Sequence, residues 1–432
     1  LASNWVLKKL KANRWLPFIV LCWGAVTTLS GLIHNFAGLV AIRVCLGFCE
    51  GGLLSGIVLY LSTIYKPHEL QLRIGIFYAS ASLSGAFGGL LATAILKMDG
   101  IGGLAGWRWI FILEGIATCL LSIMSTFVLP ADLSTAYFLT EEEREYAVQR
   151  FHDSQVLTSA VPAPNAMSGG TDMFAKSDID QLHQQSNTLG SPQAEEEFEW
   201  REVIRGITDP QCWLTGVAYG CILVSLYSFS LFLPTIVAGL GYAGETAQLR
   251  TVPPYVPAVI LVVVVSFLSD RFKWRGPFIL IFLPIAIAGY VLAIVAETNQ
   301  NRYVAVFLMA IGVYPSVPAV LTILPNNNSG HYKRATTTAL QLAIANTGGF
   351  VATFAYTADQ APRYIRGHSI VLGFLCAGWV LIALNMFYCL WENNARRSGR
   401  RQENISRYEE LWKTGKTRAP IGDRHPDFLF TI

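Results

Sequence analysis

Two charged residues interrupt an otherwise apolar run, Arg43-Val-Cys-Leu-Gly47-Phe-Cys-Glu50. Their spacing of seven residues places both on one face of a helix, about two turns apart. If that helix crosses a bilayer, the cost of burying charge there makes both functional candidates. A carboxyl group near a cation in a half-dry cavity gains and loses a proton as its surroundings change. A guanidinium also matches the geometry of a carboxylate, so Arg43 is a candidate anchor for an anionic substrate. The alternative is an ion pair that locks helices together. Glu114, six residues after Arg108 near the end of another apolar run, is expected to be structural.

Further polar side chains lie within or beside apolar runs. Tyr78 carries a polar tip on an apolar body. The Ser80, Ser82, Ser84, Gly85, Gly88 and Gly89 stretch beside it reads as close helix packing. Asn326-Asn327-Asn328 closes one run, and Gln341 and Asn346 fall within the next. Amides in lipid need partners, and Asn346-Thr347-Gly348-Gly349 predicts a helix break lining a cavity. Tyr78, Asn327, Gln341 and Asn346 are therefore the candidate substrate contacts.

Other chemistry is missing from the chain. It holds no G-x-x-x-x-G-K-[ST] phosphate loop and no H-E-x-x-H zinc helix. The eight cysteines lie mostly in apolar stretches without a C-x-x-C pair, which excludes a disulfide framework. No catalytic or metal-ligating constellation emerges, so the chain is not read as an enzyme and no cofactor is expected. Any pumping must draw on an ion gradient. The net charge of +3 does not indicate nucleic-acid binding.

The elements that must position these residues follow from composition. Hydrophobic residues make up 53% and charged residues 14% of the chain, against about 25% charged in soluble domains. Apolar runs of membrane-crossing length recur at 16–33, 36–65, 74–96, 109–129, 212–240, 252–268, 277–296, 303–324, 336–356 and 369–391. They are too long for barrel strands and lack alternation, so the fold is predicted to be all-α. One set of short loops holds eleven Lys and Arg and the opposite set six, which places the first set in the cytoplasm. Thr140-Glu-Glu-Glu143 predicts a capping box opening a surface helix to about Phe151. Residues 154–194 read as disordered linker, and 195–205 as a second surface helix. A basic turn recurs in both halves, around Lys8-Lys9…Arg14 and Arg271-Phe-Lys273-Trp-Arg275. Only one span fits before the first, against two before the second. The first half is thus expected to lack two spans.

The run from Arg43 to Glu50-Gly51-Gly52 resembles the fourth-helix signature of the major facilitator superfamily, in the form used by its anion:cation symporter branch. Gly56-Ile-Val-Leu-Tyr60-Leu-Ser-Thr-Ile-Tyr65, Glu69-Leu-Gln-Leu-Arg73, Gly106-Trp-Arg-Trp-Ile-Phe-Ile-Leu-Glu114-Gly115, Phe138-Leu-Thr-Glu-Glu-Glu-Arg144 and Asp209-Pro-Gln-Cys-Trp213 are similar to the fungal allantoate, nicotinate and pantothenate permease group. So are Lys333-Arg334-Ala335 and Ala361-Pro-Arg-Tyr364. The resemblance implies substrate and proton coupling at Arg43 and Glu50, and it matches Asn346 to the family's eleventh-helix Asn, with Ala345 replacing the preceding Gly. Two departures are Ser55, where relatives usually have Pro, and Ile323, where many have the Trp of W-x-x-N-N. Of the twelve helices it implies, ten are present, so the chain is expected to be N-terminally truncated.

These readings converge on an all-α polytopic membrane protein of major facilitator fold with two helix bundles. Residues 1–130 would form the first, 131–210 a cytoplasmic linker, 211–392 the second and 393–432 a cytoplasmic tail. The expected function is secondary active transport, by proton-coupled symport of a small organic anion such as a vitamin or other carboxylate. The proton gradient stands in place of a cofactor. The expected setting is a monomer in the lipid bilayer, at the plasma membrane. The alternatives are an exporter of a secondary metabolite and a non-transporting sensor or inactive fragment.

Overall fold

The structure, a computed structural model, describes residues 10–65, 67–159, 198–242, 244–417, 419 and 421–432. No strand occurs among them. Helices α1 (Ala12–Ser30), α2 (Phe36–Glu50), α3 (Leu53–Ile64), α4 (Pro67–Leu96) and α5 (Gly106–Val128) form the first half. Surface helices α6 (Glu141–Ser159) and α7 (Trp200–Ile207) follow. The second half holds α8 (Pro210–Gly239), α9 (Gly244–Phe272), α10 (Gly276–Val295), α11 (Asn299–Val313), α12 (Ser316–Asn327), α13 (His331–Asn346), α14 (Gly348–Ala355) and α15 (Ile365–Arg397). A last helix, α16, spans Glu403–Lys413.

Local chemistry sets the helix starts. The Asn35 side chain accepts from Gly38 N–H to cap α2. Asp209 accepts from Gln211 N–H to cap α8, with Pro210 in the first turn, and Thr298 does the same for α11. The capping box forms at α6: Thr140 N–H donates to Glu143 Oε2 at 3.0 Å, and Glu143 N–H donates back to Thr140 Oγ1 at 3.4 Å. This helix runs to Ser159 rather than ending near Phe151. The second surface helix starts at Trp200. The expected linker between them lies largely outside the described residues.

Seven helices among the described residues are long and apolar enough to cross a membrane. The other three predicted spans correspond to α1 and to two divided segments. The run 36–65 is not one helix but α2 and α3, because Gly51 and Gly52, the poorest helix formers after proline, stand between them. The run 336–356 divides at Thr347 into α13 and α14. A third interruption, at Tyr314-Pro315, lies between α11 and α12 within a longer span.

Within the first half α1 packs along α5; within the second, α8 contacts α13, α14 and α15, and α10 contacts α11 and α15. The halves meet chiefly where α4 lies along α9. Small residues permit these approaches. A Cβ on Gly115 would stand 2.5 Å from Thr28 N and 2.8 Å from Gly24 O, and one on Gly312 would stand 2.3 Å from Ala286 N.

At the end bearing the larger set of basic loops (the basic end), residues 421–432 return beneath the second half. The Lys333 ammonium lies between Asp209 at 2.6 Å and Asp423 at 2.7 Å. Arg205 of α7 reaches Asp423 at 2.5 Å and Glu202 at 2.8 Å. Burial alone would raise the Asp423 carboxyl, but Lys333 and Arg205 outweigh it and hold the carboxyl below the usual aspartate range.

Two consequences are measurable. Gly115→Ala forces the α1 and α5 backbones apart and should cost about 1–3 kcal/mol, seen as a lowered melting temperature in detergent. For Asp423, a depressed folded-state pKa means stability that is full above the usual aspartate pKa and lost as pH falls through the folded value. Asp423→Asn should therefore cost about 3–5 kcal/mol at neutral pH, and the gap to the parent should close as melting is repeated at progressively acidic pH.

Candidate functional site

Each interruption of a span falls beside a polar side chain. Glu50 is the last residue of α2, Asn346 the last of α13, and Tyr314 follows the last residue of α11. The Asn346 side chain folds back on its own helix, donating from Nδ2 to Leu342 O at 2.8 Å. Its Oδ1 is thereby turned toward α8, where it accepts from the Tyr227 hydroxyl at 2.9 Å. These two residues line an open cavity of about 350 Å³ with Leu231, Gly349, Phe350 and Thr353. Gly349 lies beside the Tyr227 ring, which is 3.6 Å from where a Cβ would stand.

Glu50 lies within electrostatic reach of the Tyr227 hydroxyl. The charge of a first-half carboxylate thus acts on the side chain that Asn346 holds, without a hydrogen bond between them among the described residues. Glu50 and Arg43 are both exposed, and α2 contains no buried residue. The two make no ion pair, with each other or with another charged side chain among the described residues, so the locking pair considered from sequence does not form.

Below the cavity the two halves close. Tyr219 lies eight residues before Tyr227 on α8, about 12 Å nearer the basic end. Its hydroxyl meets that of Tyr78 on α4 at 3.0 Å, and both residues are buried. Tyr78, expected to face substrate, instead joins the halves in this conformation. Nearer still to the basic end, the Gln71 Oε1 accepts from Ser269 Oγ and from Arg275 Nη1, each at 2.6 Å. Leu72 N–H donates to Asp270 Oδ2 at 2.6 Å, and Arg275 pairs with Asp270 at 2.7 Å. Gln71 and Arg275 are 0% and 1% exposed, so water is excluded from this closure. Desolvation lowers the Arg275 pKa, partly offset by Asp270.

The remaining candidates lie apart from the cavity. Gln341 is fully buried, donating to Val320 O at 3.3 Å, with its Oε1 unmatched. Asn327, expected as a substrate contact, is 1% exposed at the basic end. Its Nδ2 donates to Gln211 Oε1 at 3.0 Å and to Thr431 O at 3.1 Å, and its Oδ1 accepts from Thr431 N–H at 2.8 Å. It is occupied by the chain's own backbone because it ends α12 rather than lying mid-span. The sequence reading overlooked Tyr227, Tyr219 and Gln71. A signal existed for the first: Ser225, Tyr227, Ser228 and Ser230 crowd four hydroxyls into one turn and a half of an apolar span.

Residues 1–353 match the family model of the Major Facilitator Superfamily. An uncharacterised transporter of Schizosaccharomyces pombe is 36% identical over 393 residues, covering 91% of this chain and 71% of its own. The high-affinity nicotinic acid transporter of Saccharomyces cerevisiae is 27% identical over 409 residues, covering 95% and 69%. The solved structure of the proton:xylose symporter XylE shares the fold, with a TM-score of 0.60 at 15% identity, over 87% of this chain and 79% of that one.

The phenol pair invites a double-mutant cycle. Tyr78→Phe or Tyr219→Phe should each cost about 0.5–1.5 kcal/mol, while the double variant should cost little more than either single one, since both remove the same bond. Melting of the purified protein in detergent reads the coupling; strictly additive losses would mean that the hydroxyls do not interact.

Proposed function

This chain belongs to the Major Facilitator Superfamily, a secondary transporter that carries a small-molecule substrate across a bilayer, and we propose that it imports a small organic anion together with protons. The supporting observation is the Tyr227–Asn346 pair that lines the open cavity of the second half, with the exposed Glu50 of the first half near enough for its charge to act on Tyr227. The site then takes its parts from both bundles, as rocking of two halves about a midplane site requires.

In this reading the substrate carboxylate pairs with Arg43, and Tyr227 supplies a hydroxyl oriented by Asn346. Glu50 carries the proton. Sealing a carboxylate away from water costs several kcal/mol unless it is paired. Protonation removes that charge before the cavity closes, and release to the more alkaline side returns it. Closure is therefore favoured when anion and proton are both present, which ties the two fluxes together. The nicotinic acid transporter among the relatives makes an aromatic monocarboxylate the first substrate to try. The proposal places the protein in the plasma membrane as a monomer, with its basic end in the cytoplasm.

Uptake of radiolabelled nicotinate and of a panel of other carboxylates by yeast expressing the chain tests this. A protonophore should abolish accumulation of the true substrate. Arg43→Ala should raise KM about tenfold to a hundredfold, the loss of a charged hydrogen bond. Glu50→Gln should leave only downhill flux that ignores the protonophore. Accumulation indifferent to both the protonophore and Glu50→Gln would defeat the coupling, and transport confined to uncharged compounds would defeat the anion assignment.

A further inference from the structure

Residues 421–432 are bound to the second half by unusually complete backbone pairing. The Asn393 carboxamide brackets Phe430, accepting from its N–H at 2.8 Å and donating to its carbonyl at 2.9 Å. Asn327 brackets Thr431 in the same way. A carboxamide offers one acceptor and a donor side by side, so each asparagine stands in for a strand edge. The Arg396 guanidinium donates to Asp423 O at 2.9 Å and Phe428 O at 2.5 Å, and covers the Phe430 ring at 4.3 Å. Lys333 and Arg205 hold the Asp423 carboxylate. These anchors come from α7, α12, α13 and α15.

The far end of this segment reaches the closure between the halves. Ile432 O accepts from Arg275 N–H at 2.6 Å, at the start of α10, where helix N–H groups lack intrahelical partners. The Arg275 side chain is the one that crosses to Gln71. The Ile432 carbonyl carbon lies 3.7 Å from where a Cβ on Gly276 would be, so the segment covers this turn and keeps it dry. Charged contacts weaken when water enters.

We propose that residues 421–432 are an intramolecular strap that holds the basic end closed, with Asn327, Asn393 and Arg396 as the positioning residues that fasten it. They act through Arg275: the docked strap fixes its backbone and excludes water from its grip on Gln71. Undocking leaves two buried carboxamides needing new partners, so it draws water to the closure and shifts the population toward the state open at the basic end. The proposal rests on the transporter fold and on alternation of the two halves, not on the identity of the substrate or ion.

The test uses single reporter cysteines and needs no substrate. Val262→Cys reports on the basic-end interface, where the Val262 carbonyl lies beside Gly75 of α4. Thr353→Cys reports on the open cavity. Labelling by a membrane-impermeant maleimide is measured for each, against the same protein without the reporter. Inside-out vesicles serve the first and intact cells the second. Removing residues 421–432 should speed labelling at 262 about tenfold and slow it at 353, a reciprocal shift that general loosening would not produce. Asn393→Ala should do the same more weakly if the deletion does not accumulate. Unchanged labelling at 262 in both variants, or acceleration at both reporters, would overturn the strap. Neither result depends on whether nicotinate or any other anion is transported.

Discussion

A helix that stops inside a bilayer leaves carbonyls and amides that lipid cannot satisfy. Among the described residues three spans are interrupted, and polar side chains stand at those stops. Asn346 turns its own amide back onto the end of α13, which leaves its oxygen to hold Tyr227. The Gly51-Gly52 stop ends α2 at Glu50. The constraint that makes broken helices rare thus also bears on where polar side chains gather: the stop at Thr347 supplies Asn346 to the cavity, which Gly349, Phe350 and Thr353 of the following helix also line.

The contacts between the halves grade along one axis. At the cavity the halves present an exposed carboxylate and a hydroxyl. One level down they share a neutral phenol bond. At the basic end they share a dry cluster of a glutamine, an aspartate and an arginine. A neutral hydrogen bond is worth about 1 kcal/mol, and bonds to charged groups about twice that. The basic end is therefore held by the strongest of these contacts, but strength there depends on keeping water out.

Fold class was legible because lipid imposes long apolar runs and punishes charge, and all ten runs appear as helices or divided helices. Arg43, Glu50 and Asn346 stood out because each breaks that rule. The location of Asn327 was not legible: an amide ending an apolar run looks the same whether it reads a substrate or a strand of its own chain, and Thr431 lies 104 residues away. Tyr78 was recognisable as polar, but its partner was not, since Tyr219 comes 141 residues later. Gln71 lay in a basic loop, where polarity carries no signal. Periodicity reports which face a residue occupies, and it is silent about which distant face will meet it.

The Lys333 site also bears on the order in which the protein is made. Lys333 precedes Asp423 by 90 residues, and Arg205 precedes it by 218. While the chain leaves the ribosome, at about 5–20 residues per second, both cations wait for a carboxylate that does not yet exist. In the folded protein Lys333 also has Asp209, and Arg205 has Glu202, and both of these carboxylates are made before Asp423. The dry arrangement of two cations around one shared carboxylate can form only after translation has passed Asp423. Insertion of the spans can proceed one by one, but the basic end of the second half completes its packing only once the segment carrying Asp423 has been made.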